Sequence, residues 1–230
     1  MRRAMSLPRA LALSLRQLAD PAIVRILLKS LAITLAMFVG LAVAINAALP
    51  EVLSWWIDDT GDFYVVASVI VFIVLAWLLF RFVALFVLQF FAEDVVRAVE
   101  ERYYPDKAGT ARSVPFAEEL RRGTRAAARA LLINALAAPI ALVLLVTGIG
   151  TALLFWAVNA VLLGRELQDM VWLRHRNGSD DMQPLGFANR FMLGGAVAGM
   201  LLVPFVNLLA PVMGAATATH LVHGRKPTRA

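Results

Sequence analysis

Apolar residues gather into four long runs along this chain, and the polar residues are confined to the gaps between them. Leu31 to Leu49 is nearly uninterrupted. At about 1.5 Å per residue such a run crosses a hydrocarbon core of about 30 Å, and Pro50 is expected to end it. A second run, Phe63 to Ala92, is too long for a perpendicular span and must tilt or project beyond the bilayer. Arg81 interrupts it. Its continuation carries Glu93, Asp94, Arg97, Glu100, Glu101 and Arg102 at helical spacing, which predicts one long helix with a polar end outside the membrane. Tyr103-Tyr104-Pro105 stops it, because proline disfavours helical geometry in the residue before it.

The other two runs are interrupted at their centres. Leu131 to Val146 is followed by Thr147-Gly148-Ile149-Gly150 and then by Thr151 to Gly164. Phe191 to Val203 is followed by Pro204-Phe205-Val206-Asn207 and then by Leu208 to Val222. Each half falls short of the ~20 residues a full span needs. Two readings fit: re-entrant helical hairpins that dip in and return, or four cramped spans. Length favours the hairpins, and the repeated apolar–turn–apolar pattern hints at an internal repeat of the kind found in transporters.

Two amphipathic stretches flank these runs. Near the N-terminus Leu7, Leu11, Leu15 and Leu18 share one helical face and Arg9 and Arg16 another, as in a helix lying at the membrane interface. Ser6 can cap it and Pro8 suits its first turn. After a loop over Pro105 to Pro115, Glu118 and Glu119 precede Arg121, Arg122, Arg125 and Arg129, an order that suits the helix dipole and gives i, i+3 and i, i+4 pairs. The pattern predicts an all-α integral membrane protein with two long transmembrane helices, two re-entrant helical hairpins and an N-terminal interfacial helix. Its parts form a single membrane domain: the interfacial helix in 1–29, a first span 30–49, an external loop 50–62, a long second span with its cytoplasmic extension 63–104, the basic helix and first hairpin 112–164, and the second hairpin 187–222.

Charge orients this arrangement. Arg2, Arg3, Arg9, Arg16, Arg25 and Lys29 precede Leu31 against the single acid Asp20, whereas Pro50 to Asp62 holds Glu51, Asp58, Asp59 and Asp62 and no cation. Cationic segments are retained in the cytoplasm. The N-terminus, Arg112, Arg174 and Lys226 are therefore expected there, and only Pro50 to Asp62 fully outside. The 230 residues are 60% hydrophobic, above the roughly half expected of a soluble domain. The net charge of +6 reads as a topogenic signal facing anionic headgroups rather than as a nucleic-acid surface. With no cysteine, disulfides, thiolate metal sites and cysteine nucleophiles are excluded. The first twenty residues lack the continuous apolar core of a cleavable signal peptide; their four arginines also fit a matrix-targeting presequence.

Few residues invite a chemical role. Arg81 faces a pore or, eighteen residues into its run, snorkels to the cytoplasmic headgroups. Gly164-Arg165-Glu166, followed by Asp169, reads as a charge pair closing the first hairpin. Asn134, Asn159 and Asn207 are amides suited to joining helices. His220 and His223 stand i, i+3, a spacing that permits metal ligation, yet no further ligand accompanies them in sequence; Arg174-His175-Arg176 reads as a topogenic patch. No Walker loop, nucleophile elbow or His-Glu-x-x-His is visible. No catalytic residue, metal site or cofactor is expected.

Several segments together resemble the sulfate permease family typified by CysZ, in the superfamily shared with the etoposide-induced membrane proteins. Gln17-Leu18-Ala19-Asp20-Pro21-Ala22-Ile23-Val24-Arg25 resembles the family's segment before the first span, and Ala98-Val99-Glu100-Glu101-Arg102-Tyr103-Tyr104-Pro105 its helix end after the second. Gly148-Ile149-Gly150 is similar to the first hairpin turn, and Leu163-Gly164-Arg165-Glu166 to the end of that hairpin. Val203-Pro204-Phe205-Val206-Asn207-Leu208-Leu209-Ala210-Pro211-Val212-Met213-Gly214-Ala215 matches the second turn and its outgoing helix most specifically. The resemblance implies sulfate uptake across a bacterial inner membrane, a homo-oligomer completing the pathway, and an anion contact at Ala22, Ile23, Val24 and Arg25. There the family typically has glycine, an apolar residue and two arginines. This chain has Ala22 at the glycine and Val24 at the first arginine, leaving Arg25 alone, which removes a donor set and some backbone access.

Overall fold

A computed structural model describes residues 5–54, 66, 69–70, 72–74, 91–112, 115–176, 183–204 and 206–224. Among them the chain is all helix and turn, with no strand. The helices are α1 (Leu7–Gln17), α2 (Pro21–Ser54), α3 (91–103), α4 (Pro105–Ala108), α5 (Phe116–Leu144), α6 (Gly150–Trp172), α7 (Phe187–Leu201) and α8 (Val206–His223). Among the described residues, three segments are long and apolar enough to cross a membrane: Pro21–Ala44, Leu120–Thr147 and Gly150–Trp172. Arg81 and most of the second apolar run lie outside the described residues. So do 177–182, Phe205 and the segment from 225 onward.

The chain divides into two compact units, Val24–Phe91 and the remainder. In the first, α2 buries Ser30 and Thr34 along one face and exposes Leu28, Leu31, Leu35 and Val43 on others. Ser30 Oγ returns its proton to the Leu27 carbonyl at 2.9 Å, which removes the need for an outside partner. The helix does not end at Pro50; it runs on to Ser54. Proline forfeits one backbone hydrogen bond, a loss that helices of membrane proteins tolerate.

The second unit is built around α8. From Ala210 to Leu221 every residue but Pro211 is buried, so this helix is enclosed by protein. Seven of those buried residues are Gly, Ala or Thr, whose small side chains let neighbouring backbones approach. The α6–α7 crossing is closer still. A Cβ added at Gly164 would collide with the Arg190 carbonyl, and one at Gly194 with the Ala160 carbonyl. Trp156 lies over Gly195 and donates its indole N–H to the Gly195 carbonyl at 3.0 Å. Packing of small residues against backbone holds helices together in lipid, where apolar side chains gain nothing by leaving the acyl chains.

Several expectations are corrected. The basic helix and the first arm of the hairpin are one continuous 29-residue helix, α5, and α6 extends through Gly164 to Trp172. Both exceed the length of their apolar runs, because their charged turns keep strong helix formers such as Arg, Glu and Leu. Length therefore no longer favours a partial dip for α5 and α6. It still does for α7, whose 15 residues reach only about 22 Å. The α5–α6 turn uses Gly148 at φ 67°, a left-handed geometry only glycine adopts freely, and the Gly150 N–H bonds Thr147 Oγ1 at 2.9 Å. At the α7–α8 turn the Asn207 N–H bonds the Val203 carbonyl at 3.0 Å, bridging Pro204.

In α1, Ser6 occupies the capping position but its side chain makes no cap bond. The face turned into the protein is Ala10, Ser14 and Gln17, while Leu15 is exposed. Leu7, Leu11 and Leu18 are half-buried, so the leucine stripe is partly covered, and the face of Ala10, Ser14 and Gln17 is the one that packs most closely.

Candidate functional site

Polar side chains converge where α3, the end of α6 and the end of α8 meet. Glu100 on α3 is fully buried, and its Oε1 accepts hydrogen bonds from His175 Nε2 at 2.8 Å and His223 Nε2 at 3.0 Å. The Arg174 guanidinium stands 3.5 Å from the other carboxylate oxygen. Burial pushes the Glu100 pKa up, but the two histidine bonds and the Arg174 field outweigh it and hold the carboxyl down to about 2. The side-chain exposures of His175 and His223 are only 14% and 4%. These three ligand-type atoms lie within 4.8 Å of one another.

A second polar chain adjoins this cluster. Gln17 Nε2 sits 2.7 Å from His220 Nε2, and the Tyr104 hydroxyl 2.9 Å from His220 Nδ1. Both ring nitrogens of His220 are thus engaged, one by the Gln17 amide and the other by the Tyr104 hydroxyl. Burial first, and the field of His223 second, push the His220 pKa down to about 4. Beneath it Thr217 Oγ1 donates to Ser14 Oγ at 2.9 Å, and Ser14 to the Ala10 carbonyl. The spacing of His220 and His223 brings them to one region but to different partners. His223 joins Glu100 and His175, while His220 tethers α1 and Tyr104.

Two clefts open beside these groups. One of about 440 Å³ is lined by Glu100 and Arg174 together with Arg97, Arg112, Arg122, Glu93 and Glu101. The other, about 200 Å³, brings Arg121, Arg122, Arg125 and Arg129 of α5 against Arg165 and Arg176, with Glu118 and Asp169 as its acids. Arg112, which lines the larger cleft, reaches Glu118 of the smaller one. It grips Glu118 through two bonds of 3.2 and 2.9 Å and donates to the Leu173 carbonyl. That grip holds the Glu118 pKa below its usual value.

The sequence-predicted residues are dispersed. Ala22, Ile23, Val24 and Arg25 form the first turn of α2, with Ile23 buried and Arg25 exposed. The preceding Asp20 receives the Tyr103 hydroxyl at 3.1 Å and Arg102 at 3.3 Å. Arg165 pairs with Asp169 at 3.8 Å, one turn on, rather than with its neighbour Glu166, which the helix points elsewhere. Asn134 and Asn159 bond back to the Ala130 and Phe155 carbonyls of their own helices and join no second helix among the described residues. Glu100 and His175 were missed as partners because Glu100 lies 75 residues from His175 and 123 from His223 in sequence. The usable signal was scarcity, since the chain has three histidines and all three gather here.

Residues 10–211 match the model of a family described as sulfate transporter CysZ/etoposide-induced protein 2.4. No curated protein matches the chain.

Proposed function

This chain belongs to the sulfate transporter CysZ/etoposide-induced protein 2.4 family, and on that premise we propose that it is a permease or channel for a small oxyanion, sulfate first. The observation that carries the reading is the extent of the family match, which takes in the start of α2, the α3 helix end and both interhelical turns. Three helices able to cross a bilayer agree with it. The first turn of α2 would offer backbone N–H groups, which at a helix start have no partner inside the helix, and the positive end of a helix dipole, both favourable to an anion. Arg25 is the cation of that turn. The arginine-lined cleft beside α5 would draw anions toward the cytoplasmic face, and a homo-oligomer would complete the pathway.

Equilibrium sulfate binding to purified variants tests the assignment of Arg25. Arg25→Ala removes a charge-assisted bond contributing about 1.5–3 kcal/mol, a loss of roughly tenfold or more in affinity. Arg25→Lys recovers only part, since an ammonium lacks the planar fork. Val24→Arg, which restores the family pattern, tightens binding. Unchanged sulfate affinity in Arg25→Ala would make Arg25 a headgroup anchor only.

The departure at Ala22 and Val24 favours one second reading, a non-transporting membrane scaffold on the same fold. Its cytoplasmic docking surface would be the basic face of α5 and the charged end of α3. Absence of sulfate binding in both the wild type and Val24→Arg would select it.

A further inference from the structure

Glu100, His175 and His223 approach one point from three separate elements, the body of α3, the turn after α6 and the last turn of α8. We propose that they form a binding site for a single divalent transition ion of the zinc class. The donor set is two imidazoles and one carboxylate, the combination zinc takes when one position stays open. Hard cations such as magnesium and calcium prefer all-oxygen shells, so imidazole selects against them.

The geometry is close to what an ion requires. Bonds of about 2.0–2.2 Å in a tetrahedral shell separate neighbouring ligand atoms by roughly 3.3 Å. The two Glu100–histidine separations are 2.8 and 3.0 Å and all three ligand atoms lie within 4.8 Å of one another, so each imidazole has to part from the carboxylate by up to about half an ångström and the two imidazoles have to close by up to about 1.5 Å around an ion of that size. Both histidines already present Nε2 to the same carboxylate oxygen. The Arg174 guanidinium stands 3.5 Å from the other oxygen, a charge contact without a hydrogen bond, which leaves Oε1 for the ion. Glu100 and Arg174 also line the larger cleft, which provides an entry path and room for a fourth ligand. With one carboxylate against an arginine and a divalent ion, the site keeps a positive charge, so that fourth ligand is water or an anion.

Untagged, full-length protein in detergent, stripped with chelator and titrated with zinc chloride in a calorimeter, is expected to bind one ion per chain at micromolar or tighter affinity. Cobalt in place of zinc should give the intense visible absorption of a four-coordinate site. His175→Gln and His223→Gln, each checked for a monodisperse elution profile, should weaken zinc at least about tenfold, no less than loss of an outer partner does. His220→Gln, which alters the neighbouring chain, should not. Because the wild-type titration needs no variant to fold, no stoichiometric zinc uptake there would overturn the proposal. So would equal zinc affinity in the wild type, His175→Gln and His223→Gln.

Discussion

Helices α5 and α8 are both apolar over most of a membrane's depth, yet they end in opposite surroundings. The apolar half of α5 leaves Leu131, Leu142 and Val143 about as open as residues on a free helix, at 74, 67 and 74% exposure. In α8, Ala215, Thr217 and Ala218 are completely enclosed. Hydrophobicity does not separate the two, because acyl chains and protein interior are equally apolar. Side-chain size does. Large residues on α5 suit lipid or another copy of the chain, while small ones on α8, and the glycines where α6 crosses α7, permit the close contacts that bind helices in a bilayer.

The largest effect that could break this comparison lies at the α6–α7 crossing. Gly194→Leu forces a side chain into the Ala160 carbonyl and should cost at least about 3 kcal/mol, the upper end of overpacking, seen as a collapse of the thermal midpoint in detergent. Leu142→Ala on α5 should stay within about 0.5 kcal/mol, as surface substitutions do. If the two variants unfolded alike, the distinction drawn from size would fail.

A smaller effect follows from His220. It is neutral in the fold because burial holds its pKa at about 4, against 6.5 for a free imidazole. The unfolded chain therefore takes up the proton first as pH falls. Stability contributed here is full above pH 6.5 and is lost progressively as pH falls toward 4. His220→Gln should flatten the thermal midpoint over that window, and an unchanged slope would mean other groups govern it. Least of all, Gly148→Ala should cost about 1–2 kcal/mol through its positive φ alone, since nothing stands near its Cβ position. Asn159→Ala should be near neutral, because its amide donates to a carbonyl of its own helix.

What could be read from sequence was local. Gly148, Pro204 and Asn207 mark the interhelical turns through backbone constraints that act within a few residues. The positions of α1 and of the α3 end followed from periodicity and from Pro105. The reach of α2 past Pro50 and of α6 past Gly164 did not, because propensity and packing override a single breaker or a charge pair. The Glu100–His175–His223 cluster was invisible for a different reason. Its members share no element and no spacing, and only the packing of α3 against the ends of α6 and α8 makes them neighbours.

The central claim is that the family membership carries oxyanion transport with it. Uptake of labelled sulfate by proteoliposomes holding the purified protein, with chloride and phosphate as competitors, tests it most directly. The account predicts sulfate entry well above that of protein-free vesicles, competed weakly by chloride, and lowered roughly tenfold in Arg25→Ala in line with the lost charge-assisted bond. Uptake no greater than in empty vesicles, from protein shown to be folded and inserted, would contradict it.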